Sequence, residues 1–424
     1  MNALTNRLAQ RLPIFYGYVM LPLAMLLQIG SSPGQTFAVS AFTPALLDSL
    51  QLSESRLGLA YMLGTLCASI PLAFVGPVTD RIGLKPVACV VALALAGACV
   101  FASTVQSFLG LLVAFFLLRF LGQGAMTLLA ANTNAMWFRA RLGRVSAALS
   151  VGSAIAFAWV PDWIASAIER YGWRETYNAI GGLLLLAVLP AILLLYRNRP
   201  EDIGQCVDGL DANTDTMDQP AEESRSIPLS RAARTASYGI LGFCNIVWAM
   251  AGTGILFYLF TLCDDRGIDQ GNAKSLFKIL GLSMLAAQLT GGILADFLKL
   301  NRLFGCGTCL IAAALVWLSV DTTLSGARGF SVLFGGGQGL LISVTSVIMV
   351  RFYGRKYLGS IRGAIWCGTV AGSGCGPLIM GLFKDSTGSY EMAITCFAVV
   401  MTPLALASWF IRAPQPPMAT TESR

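Results

Sequence analysis

The sequence predicts an all-α membrane protein in which twelve transmembrane helices form two pseudo-symmetric halves of six. Three observations predict this fold class: an apolar composition, twelve apolar stretches and an internal repeat. Hydrophobic residues make up 55% of the 424 residues and charged residues 12%, whereas soluble domains average roughly 25% charged residues. So few charges cannot cover a chain of this length, and we expect a lipid bilayer to surround it.

Each apolar stretch can cross a membrane as a helix, because about 20 helical residues rise through ~30 Å of hydrocarbon. Helices are expected rather than strands because lipid-exposed strand edges would leave backbone groups unpaired. The predicted spans are 15–47, 56–78, 86–105, 108–136, 145–169, 176–196, 236–262, 273–297, 303–321, 327–350, 360–383 and 390–411.

A long polar segment separates the sixth and seventh spans and predicts a linker. The predicted organisation is an N-terminal segment 1–14, a first bundle 15–196, the linker 197–235, a second bundle 236–411 and a tail 412–424. Of the 29 Lys and Arg residues, twenty fall on the side of the termini and the linker, and eight on the other side. Basic residues favour the inner side, so both termini are expected to be cytoplasmic, with the protein in the plasma membrane or, in a bacterium, the cytoplasmic membrane.

Seven positions recur at a constant offset of 216 residues, which indicates that the two bundles are homologous. Such parallel repeats favour a binding site near the membrane midplane, between the halves. The pairs are Gly76/Gly292, Asp80/Asp296, Arg139/Arg355, Gly143/Gly359, Gly152/Gly368, Pro161/Pro377 and Gly172/Gly388.

The composition argues against several kinds of chemistry. The chain contains no histidine, which excludes serine–histidine catalysis, histidine metal ligation and a histidine proton relay. The lone pair Cys306 and Cys309 lacks the further ligands of a metal site, and no Walker motif indicates ATP-driven work. We therefore expect no catalytic residue, metal, cofactor or nucleic-acid partner, and no enzyme.

Two motifs resemble those of the major facilitator superfamily of transporters. The stretch GPVTDRIGLK, Gly76–Lys85, resembles its G-x-x-x-D-R-x-G-R-K loop between spans two and three, with Leu84 in place of the usual basic residue. RFLGQG, from Arg119 to Gly124, resembles its R-x-x-x-Q-G pattern in span four. More loosely, the opening FYGYVMLPLAMLL and the loops after spans four and ten resemble the monocarboxylate porters and oxalate–formate antiporters.

The resemblance implies that the loop after span two latches the two halves on the inner side. Two glycines allow a tight turn there, and Asp80 can face a helix N-terminus of the other half. The alternative is that the residues of this loop only fix the topology. The predicted gating residues are Gly76, Asp80, Arg81, Gly83, Lys85, Asp296, Gly143 and Gly359.

Arg119 is the sharpest candidate for substrate binding, because it lies near mid-membrane, where a charge costs at least about 2.5 kcal/mol. A guanidinium there suits an anionic carboxylate. The alternative is that Arg119 braces span four through backbone carbonyls and Gln123.

Other polar or aromatic residues in the spans are weaker candidates, since each alone is commonly an interhelical hydrogen bond or an interface anchor. The run Gly30–Gly34 interrupts span one, and irregular backbone at that depth is tolerated where it lines a cavity. Lys278 is a second cation for an anion or a snorkelling side chain. The candidates are Gln35, Gln28, Asn245, Trp248, Tyr258, Gln288, Trp366 and Lys278.

These observations favour a secondary active transporter that works by alternating access on a small organic anion such as a monocarboxylate. Proton symport or anion exchange would drive it, and a monomer is expected. The alternatives are an exporter of drugs or other small molecules and a nontransporting receptor on the same fold. Drug export is disfavoured because the stretch from Ala156 to Pro161 lacks the glycines of the G-x-x-x-G-P run in drug–proton antiporters.

Overall fold

A computed structural model describes residues 15–138, 142–209, 227–354 and 357–414, and these ranges contain helices without strands. The span helices end within a few residues of the predicted edges. In order they are Gly17–Gly30 with Thr36–Leu50, Glu54–Ile82, Leu84–Ser103, Phe108–Trp137, Leu142–Tyr171, Trp173–Leu195, Ala236–Phe257 with Leu259–Asp265, Gln270–Phe297, Leu300–Val320, Leu324–Tyr353, Leu358–Thr387 and Glu391–Ser408.

Within the described ranges, eleven helices are long and apolar enough to cross a membrane. Span 1 supplies the twelfth crossing as two shorter helices, of 14 and 15 residues, on either side of a 3-10 turn at Ser32–Gly34. Neither helix alone reaches the ~20 residues that a crossing needs. The predicted twelve-helix fold class is confirmed.

The repeat is visible in the helix bounds. Span 5, Leu142–Tyr171, and span 11, Leu358–Thr387, begin and end 216 residues apart, as do span 4, Phe108–Trp137, and span 10, Leu324–Tyr353. The paired residues Gly172 and Gly388, which follow spans 5 and 11, both have positive φ angles, 80° and 76°. Glycine adopts this left-handed conformation without steric cost, so the repeat extends from sequence to backbone geometry.

The chain divides into two compact units. The first contains Met1–Asp215, Thr253–Gly281 and Gly374–Tyr390, and the second contains Thr216–Gly252, Leu282–Ser373 and Glu391–Arg424. The first unit thus adds segments of spans 7, 8 and 11 to the six spans of the first half. The division into bundles 15–196 and 236–411 stays a prediction.

Small residues bring the helices of the first unit close together. A Cβ on Gly58 of span 2 would lie 2.6 Å from the carbonyl oxygen of Pro377 in span 11. A Cβ on Gly281 of span 8 would lie 3.2 Å from the Cβ of Ala158 in span 5. Span 7 joins through Leu259–Asp265, which packs against Thr36–Leu50 of span 1. We call the side of this unit that carries the loops after spans 1, 5, 7 and 11 the distal side, and the charge pattern predicts it to be the outer side.

The second unit is also held by small residues and buried hydroxyls. Thr308 of span 9 and Ser408 of span 12 lie within hydrogen-bonding distance, 2.8 Å between their oxygens. A Cβ on Gly337 of span 10 would lie 2.7 Å from the carbonyl oxygen of Gly307, so spans 9 and 10 are in backbone contact.

Several predicted features fall outside the described residues. They are the N-terminal segment 1–14, residues 210–226 of the linker, the tail beyond residue 414, and Arg139 and Arg355 of the repeat.

Candidate functional site

Arg119 lies where span 4 changes its helical form. The residues Arg119–Met126 form a π-helix between two α-helical stretches, Phe108–Leu118 and Thr127–Trp137. Gly122 and Gly124 lie within it, and short π-helical stretches occur frequently at functional sites. The Arg119 side chain is only 3% exposed.

Three groups hold the Arg119 guanidinium. Its Nε donates to Thr65 Oγ1 at 3.1 Å, its Nη1 donates to the carbonyl oxygen of Gly34 at 3.1 Å, and its Cζ lies 4.9 Å from the centre of the Tyr61 ring. Nη2 has no hydrogen-bond partner among the described residues, and none of the ion pairs found there includes Arg119. The guanidinium therefore has hydrogen-bond partners, but no carboxylate of the described residues pairs with its charge.

The break in span 1 makes the Gly34 carbonyl available to Arg119. A Cβ on Gly34 would lie 2.1 Å from the carbonyl oxygen of Leu118, and one on Gly122 would lie 2.9 Å from the Cα of Gly34. Only glycine permits this backbone contact between spans 1 and 4. Arg119 bonds to a backbone carbonyl, as the bracing alternative expects, whereas no hydrogen bond joins it to Gln123 in the described structure. Whether Arg119 binds substrate or braces span four stays a prediction.

Gln35 follows this break and lies in the same neighbourhood. Its Nε2 donates to Ser31 Oγ at 3.1 Å and to Thr127 Oγ1 at 3.2 Å, which ties span 1 to the end of the π-helix. Gln28, in the helix before the break, is half-buried, and its side-chain amide has no hydrogen-bond partner in the part of the chain that the structure describes. Gln35 is therefore in hydrogen-bonding contact with Thr127, the residue that follows the π-helix beginning at Arg119.

Tyr61 and Thr65 were not predicted, although they contact Arg119 directly. The Tyr61 hydroxyl lies 2.7 Å from Thr36 Oγ1, and its ring packs on Phe115 and Phe257 at centroid distances of 5.6 and 4.6 Å. The available signal was their spacing, since polar side chains four residues apart share one face of a helix.

Lys278 has an acidic partner. Its Nζ lies 2.7 Å from Asp162 Oδ2 of span 5, with side-chain exposures of 37% and 23%. Tyr258 is fully buried, and its hydroxyl donates to the backbone carbonyl of Glu54 at 2.6 Å. Lys278 is thus a paired cation, and its role as a substrate ligand stays a prediction.

The other predicted ligands belong to the second unit. Asn245 Nδ2 donates to the carbonyl oxygen of Leu241 in its own helix at 2.8 Å, Trp366 is 62% exposed, and Trp248 and Gln288 are half-buried. Whether these residues share a site with Arg119 stays a prediction.

The predicted gate residues of the loop after span 2 differ in their contacts. Gly83 ends the helix with a φ of 93°, and Lys85 donates from its backbone N to Asn198 Oδ1 at 2.7 Å and from Nζ to the Leu193 carbonyl oxygen at 2.8 Å. Asp80 and Arg81 are exposed and have no partner among the described residues, so Asp80 caps no helix there. A Cβ on Gly76 would meet no neighbouring atom.

A cavity of about 240 Å³ opens beside this loop, lined in part by Asp80, Gly83, Asn132 and Asn198. The side-chain surroundings of Asp296, Gly143 and Gly359 lie outside the described structure. The gating role of all eight residues stays a prediction.

Comparison with known proteins agrees with the fold. The sequence profile of the Major Facilitator Superfamily matches residues 24–367. Monocarboxylate transporter 12-B of Danio rerio is 26% identical over 57% of this chain, which spans 55% of that relative's length. Monocarboxylate transporter 2 of Mesocricetus auratus is 20% identical over 89% of this chain and 80% of its own length.

Solved structures are similar in fold alone. A bacterial homologue of the human lysosomal transporter Spinster, in an inward-facing and unoccupied conformation, matches with a TM-score of 0.69 at 13% identity, over 93% of each chain. The nucleoside transporter NupG also has a TM-score of 0.69 at 13% identity, over 92% of this chain and 99% of its own. Since the family profile covers most of the chain and the twelve-helix fold agrees, this chain belongs to the major facilitator superfamily of membrane transporters.

Proposed function

We propose that this chain is a secondary active transporter that moves a small organic anion, such as a monocarboxylate, by alternating access. The observation that carries the proposal is the buried guanidinium of Arg119, which has no carboxylate beside it in the described structure. An uncompensated charge at this depth is costly. A carboxylate that accepted hydrogen bonds from Nη2 would compensate it.

The relatives support the same substrate class, because several of them are named monocarboxylate transporters. Proton symport or anion exchange is the proposed driving force, with a monomer as the working unit. The asymmetry of basic residues supports a plasma-membrane or bacterial cytoplasmic-membrane protein with both termini in the cytoplasm.

Counterflow in proteoliposomes tests the substrate class. Vesicles that contain the purified protein are loaded with unlabelled lactate or pyruvate, and the entry of the labelled acid is followed at equal pH on both sides. We expect wild-type protein to accumulate label transiently. Failure to exchange any monocarboxylate or larger organic anion would contradict the proposal, and a thermal shift with these anions but no flux would favour the receptor alternative.

Arg119→Gln tests the residue that carries the proposal. A charge-assisted hydrogen bond contributes about 1.5–3 kcal/mol, so we expect roughly 10- to 100-fold weaker counterflow at low substrate concentration. The matched control is Arg170→Gln, the same change at an exposed arginine in the last turn of span 5, which should leave flux unchanged. A folded Arg119→Gln variant with normal flux would reduce Arg119 to a structural brace.

A further inference from the structure

Three carboxyl groups and one ammonium group meet on the distal side of the first unit. They belong to Glu54 at the start of span 2, Asp265 at the end of span 7, and Lys384 and Asp385 near the end of span 11. Lys384 pairs with Asp265, and Asp385 accepts a hydrogen bond from the backbone N of Ser55 at 3.0 Å. Glu54 therefore has no ion-pair partner among the described residues.

The backbone of Glu54 is fixed by the packing of spans 2, 7 and 11. Its carbonyl oxygen accepts the 2.6 Å hydrogen bond from Tyr258, and a Cβ on Gly381 of span 11 would lie 2.5 Å from the same oxygen. This packing therefore fixes the position of the Glu54 backbone.

The Glu54 residue is half-buried in this packing. Its Oε2 is buried and has no hydrogen-bond partner in the described structure. The buried Tyr390 hydroxyl lies within hydrogen-bonding reach of the carboxyl and 3.2 Å from Thr261 Oγ1. Burial, together with the charge of Glu54, raises the pKa of Tyr390, so this hydroxyl stays a neutral donor. The ionisable groups that face Glu54 are Asp385 and Lys384 of span 11, Asp265 and Tyr258 of span 7, and Tyr390 of the following loop.

A buried carboxylate oxygen without a donor is unfavourable. The charge of Asp385 beside it adds to that cost, whereas the Lys384 ammonium offsets the charge of Asp265. A proton on Glu54 removes that charge without any change in packing. The neighbouring carboxylates need no such proton, since Asp265 has its lysine and Asp385 is exposed and bonded to Ser55.

We propose that Glu54 is a proton-binding site, which takes up a proton when the distal side closes and releases it when spans 2, 7 and 11 separate. This inference rests on the proposed function, because alternating access requires that closure be reversible. It makes closure of the predicted outer side favourable at acidic pH and unfavourable at alkaline pH.

Hydrogen–deuterium exchange of the substrate-free protein tests the proton site directly. Exchange is measured by mass spectrometry for segments 54–58 and 381–390 at several pH values and corrected for the intrinsic rate of each amide. Uptake of one proton on closure changes the ratio of closed to open molecules by about tenfold per pH unit. We expect wild-type protection to fall with rising pH, and Glu54→Gln, which is neutral at every pH, to keep full protection throughout.

Two further variants serve as controls. Glu54→Asp keeps a carboxyl group and should keep the pH dependence, and Asp385→Asn removes a neighbouring exposed carboxyl and should also keep it. A wild type without pH-dependent protection, a Glu54→Gln variant that retains it, or its loss in Asp385→Asn would each overturn the assignment to Glu54.

Counterflow on the same preparations separates this proposal from the proposed function. Wild type that shows pH-dependent protection but exchanges no organic anion supports the proton site and rejects the substrate class. Wild type that exchanges monocarboxylates without pH-dependent protection supports the substrate class and rejects the proton site.

Discussion

The surroundings of Arg119 show which features of a site can be predicted from single residues of the sequence. Its charge amid apolar neighbours was visible in the sequence, because such charges are rare and costly in a membrane. Its partners Thr65 and Tyr61 could not be predicted, because threonine and tyrosine are common in membrane spans. The residue that each contacts depends on how span 2 packs on span 4. The same reason concealed the Asp162–Lys278 pair, whose members are 116 positions apart in the chain.

The Tyr61 ring beneath Arg119 gives a first prediction at this scale. A partly desolvated cation–π contact contributes about 0.5–2 kcal/mol. We expect Tyr61→Ala to weaken counterflow several-fold and Tyr61→Phe, which keeps the ring but loses the contact with Thr36, to preserve it. The measurement is the concentration dependence of counterflow, and equal defects in the two variants would contradict a role for the ring face.

The Asp162–Lys278 pair gives a second prediction. Removing one partner leaves a lone charge in the spans, at a cost of about 1–3 kcal/mol for a pair that is only partly buried. We expect Asp162→Asn and Lys278→Gln each to lower the midpoint of thermal unfolding, and the double variant to be more stable than Lys278→Gln alone.

Transport by the double variant separates two roles of Lys278. Normal counterflow would show that Lys278 serves the pair, and abolished counterflow in a stable double variant would favour its role as a substrate ligand.

Whole helices were the most predictable level of this fold. Apolar stretches located all twelve spans, but the helices often run past them, as in span 5, predicted at 145–169 and found at Leu142–Tyr171. The final turns carry polar residues that stay helical because backbone hydrogen bonds and caps continue outside the hydrocarbon. The predicted irregularity in Gly30–Gly34 is a 3-10 turn, whereas the π-helix of span 4 was missed because its sequence also suits an α-helix.

The contact between spans 1 and 4 gives a third prediction, at the scale of helices. The Cβ of Gly34→Ala would lie 2.1 Å from a backbone oxygen that cannot move without shifting span 4. Overpacking of this kind costs about 1–3 kcal/mol or more, so we expect a lower midpoint of thermal unfolding and lost counterflow. Gly97→Ala in span 3 is the control, because its Cβ would meet no neighbouring atom, and equal behaviour of the two variants would contradict the close contact.

At the scale of the whole molecule, the repeat predicted two related halves, and the helix bounds agree with it. The repeat could not predict that segments of spans 7, 8 and 11 pack with the first six spans on the distal side. Under the proposed alternating access, one sequence supports both open and closed arrangements, which differ by only a few kcal/mol. Residue pairs such as Gly58 with Pro377, or Lys274 with Glu169, therefore become visible only in a structure.

Closure of the distal side gives the fourth prediction. Gly381→Ala places a Cβ 2.5 Å from the Glu54 carbonyl oxygen, so the ends of spans 2 and 11 must separate. We expect faster deuterium exchange in segment 381–390 and slower counterflow. Gly363→Ala lies in the same helix but meets no neighbouring atom, and it should behave as wild type. Unchanged exchange in Gly381→Ala would contradict the role of this contact in closure.

The divided first span also bears on how the protein is made. Helices of 14 and 15 residues are each shorter than the ~20 residues that a crossing needs, so span 1 crosses only as a pair of helices. The Gly34 carbonyl of the turn between them accepts a hydrogen bond from Arg119 of span 4, which is synthesised 85 residues later. We therefore expect the first segment to enter the membrane early and to reach its final shape only after the fourth has been synthesised, which orders the steps of biogenesis.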